Sequence, residues 1–157
     1  MSTIASDVTA DPFDVRIAVG TTGKLATFNA AGILSAADVH VATLIGRLCD
    51  ETDEDVLLAA ALAVRAPRLA HVCVELDTIR TSATSDLEET IDLESLDWPT
   101  GDWTARVAAS PAVSSSDDPA GDGARPLRLE GHRLYLDRYW RQECTIADRI
   151  LDLAART

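Results

Sequence analysis

The chain has 157 residues, 46% of them apolar, 25% charged and only 4% aromatic, enough to bury one core without disulfide or metal staples. Its formal net charge of −12 argues against a domain that grips nucleic-acid backbone through an overall basic face, because Lys and Arg contacts supply most of that affinity. No stretch is long or apolar enough to span a bilayer, and residues 1–10 lack a basic, apolar signal pattern, so the expected compartment is the cytoplasm.

In chain order, residues 1–10 read as disordered. Residues 14–19 (DVRIAV) form a short β-branched run before Gly20 that suggests an edge strand or extended arm. A short helix is expected over 24–34. Ser35, with Asp38 three residues on, marks the start of a helix to about Leu48, whose Val41, Leu44, Ile45 and Leu48 fall on one face at helical spacing. Thr52 or Asp53 caps the next helix, with Asp53, Glu54 and Asp55 at the end where the helix dipole favours negative charge. Its body, residues 56–64 (VLLAAALAV), has no polar face and must be surrounded by protein. Pro67 stops it, and residues 71–76 (HVCVEL) suggest a strand.

Residues 81–99 are acidic and poor in large apolar side chains, which suggests a mobile loop. A short helix over 102–109 carries Trp103 and Val107 on one side. A second loop, rich in Ser, Asp, Pro and Gly, is expected at 113–125. Leu127 and Leu129, a Gly131-His132 turn, then Leu134 and Leu136 spell a β-hairpin. A final helix from Asp137 to about Ala155 presents Trp140, Cys144, Ala147 and Leu151 beside Ile146, Ile150 and Leu153 as a broad apolar face. The fold class expected is mainly α with a small β component (α+β), in one domain over 1–157.

Several chemistries fail on spacing. Gly20-Thr21-Thr22-Gly23-Lys24 imitates a phosphate-binding loop, yet Ala18 stands where the first glycine belongs and Leu25 where a magnesium-binding hydroxyl belongs. His40, His71, His132 and the cysteines show no paired ligand spacing; His71 and Cys73 supply at most two ligands. Cys49, Cys73 and Cys144 read as small, buried, inert thiols. No catalytic residue, cofactor site or metal site is therefore expected in the chain. From Arg125 onward seven arginines face five carboxylates, so this end is near +2 while the rest carries about −14. Within it Arg133, Arg138, Tyr139, Trp140 and Arg141, beside Tyr135, form the one candidate interaction or DNA-facing cluster. Such rings can stack on bases, or they can pack the hairpin on the final helix with arginines lying over them. The packing reading is preferred.

Two blocks resemble the N-terminal domain of the RecD family, the alpha subunits of exodeoxyribonuclease V (RecBCD). The first spans 34–76. It contains Ala37-Asp38-Val39-His40-Val41-Ala42, then Leu57-Leu58-Ala59-Ala60-Ala61-Leu62, then the strand His71-Val72-Cys73-Val74-Glu75-Leu76. The second opens at Trp103-Thr104-Ala105-Arg106-Val107 and runs through Pro126-Leu127-Arg128-Leu129 to Arg133-Leu134-Tyr135-Leu136-Asp137-Arg138-Tyr139-Trp140. The resemblance implies a parent subunit that is an ATP-dependent 5′–3′ DNA helicase in DNA repair and recombination. It implies ATP and Mg bound in motor domains that these residues do not include. It further implies a domain that is not itself an enzyme and docks on a RecC-like gamma subunit, with a RecB-like beta subunit in the same complex. DNA is then met through the complex. The alternative is an accessory nucleic-acid-binding module built on the Arg/aromatic C-terminal segment.

Overall fold

A computed structural model describes residues 13–87, 89–115 and 125–156; the expected disorder at residues 1–10 lies outside them. Among the described residues six α-helices and four short strands form an α+β fold in which one apolar helix is the hub. Helix α1 (Gly23–Ala30) and helix α2 (Ala36–Cys49) pack on α3 (Glu54–Arg65), which also touches α5 (Trp103–Ala108) and the sheet. Ala59, Ala60, Ala61, Leu62 and Ala63 of α3 are all buried, as a helix without a polar face requires. Small side chains there let neighbours approach from every side.

Local signals set the helix starts. Ser35 accepts from the Asp38 backbone N–H and Asp38 returns a carboxylate to the Ser35 N–H, a closed capping box. Asp53 caps α3 through the Asp55 N–H, and Asp102 caps α5 through Ala105.

The core face of α2 differs from the expected one. Val39, Ala42, Ile45 and Gly46 are buried, whereas Val41, Leu44 and Leu48 point outward. The cause is close packing on α3: a Cβ at Gly46 would stand 2.7 Å from Leu57 Cδ2. The helix turns its smallest residues inward, and a count of large apolar residues misses that. Residues 14–19 form turns instead of an edge strand or extended arm. They are pinned by buried Asn29, which accepts from the Ala18 N–H and donates to the carbonyls of Arg16 and Leu34.

The sheet has the order β1-β4-β3-β2, from β1 (Cys73–Glu75), β2 (Val113–Ser115), β3 (Leu127–Glu130) and β4 (Arg133–Leu136). The β3–β4 hairpin and the β1–β4 pair are antiparallel, and β2 runs parallel to β3. Strand β2 replaces the start of the loop expected at 113–125, of which 116–124 lie outside the described residues. Side chains alternate with period two. The face with Val74, Leu127, Leu129 and Leu134 meets the core, and the other carries Cys73, Glu75, Arg128, Arg133 and Tyr135.

Between β1 and α5 the chain makes a short helix, α4 (Ile79–Ser82), and a 3-10 turn (Leu93–Ser95). Trp98 from this acidic segment is buried. Its ring meets Phe28 edge-on at 4.7 Å and its Nε1 donates to the Leu93 carbonyl. The final helix, α6 (Asp137–Ala154), has no buried residue. Among the described residues no helix is long and apolar enough to cross a membrane.

Candidate interaction site

The outer face of the sheet is where the first turns of α6 land. Arg128 enters it from β3 and is buried, with its guanidinium 4.0 Å from the centre of the Trp140 ring. Asp137, the first residue of α6, stands 3.7 Å from the same guanidinium and accepts from Arg141 Nε at 2.6 Å. Asp137 thus joins the hairpin to the next turn of its own helix. A carboxylate in the first turn also suits the positive end of the helix dipole.

Tyr135 lies beside Arg128 in the sheet and opposite Cys73 on β1. Burial, with Cys73 and the Glu143 carboxylate nearby, pushes its hydroxyl up to about 12. Burial likewise pushes the Cys73 thiol up. Arg133 sits opposite Glu75 in the β1–β4 register and donates to it at 3.2 Å, and that carboxylate holds the guanidinium firmly charged.

The five candidate residues do not converge on one surface. Arg133 is tied to the sheet edge. Arg138 and Arg141, three apart, share one face of α6, with the Arg138 guanidinium 5.9 Å from the Tyr139 ring. Tyr139 and Trp140 are half-buried, and Trp140 turns back toward Arg128. Arg128 itself was not among the residues that the sequence singles out, because its alternation with leucines reads as an exposed strand position. Its burial comes from α6 covering the second face of the hairpin.

The nucleotide-like loop is filled by carboxylates. Lys24 Nζ pairs with Asp55, and Asp97 stands 3.6 Å away. Glu54 Oε1 accepts from the Lys24 backbone N–H at 3.3 Å, and a Cβ on Gly23 would collide with that oxygen. Arg106 from α5 forms an ion pair with the other Asp55 oxygen at 2.6 Å. Two acidic side chains therefore occupy the space and donors that a phosphate would need, and the residues present do not fit a nucleotide.

Among the described residues no three His, Cys, Asp or Glu side chains gather as a metal site. The three cysteines are free and half-buried, not fully buried as expected. Beyond the sheet, two apolar surfaces stand out. Val41, Leu44 and Leu48 make an exposed stripe along α2, with Leu44 53% and Leu48 75% exposed. Ile146, Ile150 and Leu151 on α6 are 59–66% exposed. The α6 face is the broad apolar one expected from the sequence, whereas the α2 stripe is expected on one face with Ile45, which is buried.

Comparison with known proteins supplies the family. A family model described as RecBCD enzyme subunit RecD, N-terminal domain, matches residues 30–135. The chain is 43% identical over 142 residues to the RecBCD enzyme subunit RecD of Mycobacterium tuberculosis (strain H37Rv), a match covering 89% of this chain and 22% of that protein. It is 43% identical over 127 residues to RecBCD enzyme subunit RecD of Mycolicibacterium smegmatis, covering 80% of this chain and 20% of the relative. The chain thus spans about a fifth of the length of these relatives.

Proposed function

Since the chain belongs to the RecD N-terminal-domain family, we propose that it is a docking domain. It holds a RecD-type helicase subunit against the RecC-like gamma subunit of a RecBCD-type complex, in which a RecB-like subunit also sits. The observation that carries this reading is the exposed Val41–Leu44–Leu48 stripe inside the family-matched segment. Exposed apolar side chains at i, i+3 and i+7 of one helix are a common way to seat a protein partner.

The cations support the same reading. Lys24, Arg106, Arg133 and Arg141 are engaged by carboxylates of the domain itself. With a net charge of −12, the domain is steered toward basic surfaces and away from nucleic acid. ATP hydrolysis and unwinding then fall to the remainder of a RecD subunit, together with the ATP and Mg they need.

Light scattering on a sizing column, with the chain mixed with its cognate RecC-type subunit, tests the proposal. A one-to-one complex that survives moderate salt is expected. Leu44→Asp with Leu48→Asp should weaken it by about a hundredfold or more, from the lost burial of two leucines. Separate elution of the two proteins would overturn the reading. The second reading, direct nucleic-acid binding, is favoured by Arg138 and Arg141 sharing one exposed face of α6. It requires DNA affinity that falls steeply with salt and disappears in Arg138→Ala/Arg141→Ala.

A further inference from the structure

The geometry of α6 points to a helix whose other half is missing from this domain, and we propose that its apolar face seats the C-terminal remainder of a RecD-type subunit. The helix is strongly two-sided. Ile146, Ala147, Ile150 and Leu151 follow one another along one side at helical spacing, while Arg138, Arg141, Thr145, Asp148, Arg149 and Asp152 take the other. Its start is held by Asp137 and Trp140 against Arg128. Every described residue from Thr145 onward is exposed. A helix patterned this sharply for burial, with none of its residues buried, is patterned for a surface outside the domain.

The family comparison says where that surface belongs. The N-terminal-domain model stops at residue 135, just before α6 begins at Asp137. In the M. tuberculosis relative the matched region makes up 22% of the subunit. Most of a RecD polypeptide therefore lies beyond the domain that α6 adjoins.

Size argues for a tethered occupant over a free one. The apolar side from Cys144 to Ala154 is about 16 Å long and about 10 Å wide, at 1.5 Å of rise per residue. A face of about three turns on a single helix offers less than the roughly 800 Å² of accessible surface per partner in a stable interface between separate proteins. A second copy or a separate subunit would be held weakly by it. A segment joined by the chain meets the face at an effective concentration on the order of millimolar, and needs no larger area. The face is also distinct from the α2 stripe, so loss of RecC-type binding would leave this pairing intact.

Hydrogen exchange of the α6 amides tests it, comparing the isolated chain with a fusion in which these residues replace the matched segment of M. tuberculosis RecD. In the isolated chain, amides between Ile146 and Leu151 should exchange with little protection, and light scattering should show a monomer. In the fusion they should slow by about a hundredfold or more, the protection of a packed helix. Ile150→Asp should abolish that slowing while leaving the thermal midpoint of the isolated chain unchanged. Unmodified M. tuberculosis RecD, read at the residues that follow its own N-terminal domain as α6 follows this one, provides the same comparison if the fusion does not fold. Equal exchange in both contexts would overturn the proposal. So would a dimer of the isolated chain that Ile150→Asp dissolves, which would make a second copy the occupant. Slowing seen only after a RecC-type subunit is added would overturn it too.

Discussion

Replacing Asp55 with Asn should be among the costly single changes that leave the core volume intact. The Lys24 and Asp55 side chains are 10% and 14% exposed, and Arg106 reaches the same carboxylate from α5. Removing one member of a buried ion pair typically costs about 3–5 kcal/mol, because the other charge is left without compensation. Here Asp97 remains 3.6 Å from Lys24, and Arg106 is 38% exposed and keeps access to water. These offsets lower the expected cost to about 2–3 kcal/mol. Lys24→Met should cost only about 1 kcal/mol, since Asp55 keeps Arg106. In the double variant the Asp55→Asn cost should shrink by about 1–2 kcal/mol, the coupling expected of directly paired groups. Urea unfolding reads all three: at a slope of about 2 kcal/mol/M, Asp55→Asn moves the midpoint by about 1–1.5 M with the slope unchanged. A shift below about 0.3 M, or strict additivity, would refute the assignment of Lys24 to an internal pair.

Trp98→Ala should destabilise the domain by about 3–5 kcal/mol and remove much of the near-ultraviolet circular dichroism, as Trp98 packs edge-on against Phe28; a smaller loss would mean the acidic segment is not anchored there. Ser35→Ala opens the capping box and should cost about 1 kcal/mol in the same urea assay, whereas Ser35→Asp should keep most of it. In a Tyr139→Phe background, the tyrosinate absorbance of Tyr135 should rise with a midpoint of about 12. Its contribution to stability is complete below the unfolded value of about 10 and is lost as pH rises toward the folded value. A midpoint near 10 would show that α6 does not cover the hairpin.

What could be read from the sequence was local. Ser35 and Asp38 sit three apart, residues 56–64 lack a polar face, and Gly131-His132 separates two alternating runs; each signal needs only neighbours in the chain. The errors share the opposite property. Residues 14–19 look like a strand until Asn29 supplies bonds that fix them as turns. Strand β2 has no pattern of its own and exists because β3 accepts it in parallel. The inward face of α2 is set by how near α3 comes to Gly46. At the candidate site, α6 announced its apolar side, but Arg128 could be placed only once Trp140 was seen above it. The lysine of the nucleotide-like loop needed a partner 31 residues away to explain it.

The pairing of β1 with β4 sets an order of assembly during synthesis. Cys73 lies in register opposite Tyr135, so the sheet cannot close until the ribosome has released the whole hairpin. Helices α1 to α3 can gather much earlier, since their contacts are near in sequence. For that interval Val74 and Leu76 wait beside a preformed helical core with one edge open. A nascent chain stalled before residue 133 would display this unfinished edge to chaperones and proteases. Once the hairpin arrives, the last piece to lock is also the one that carries α6, so completion of the fold and presentation of its outward-facing helix are a single event.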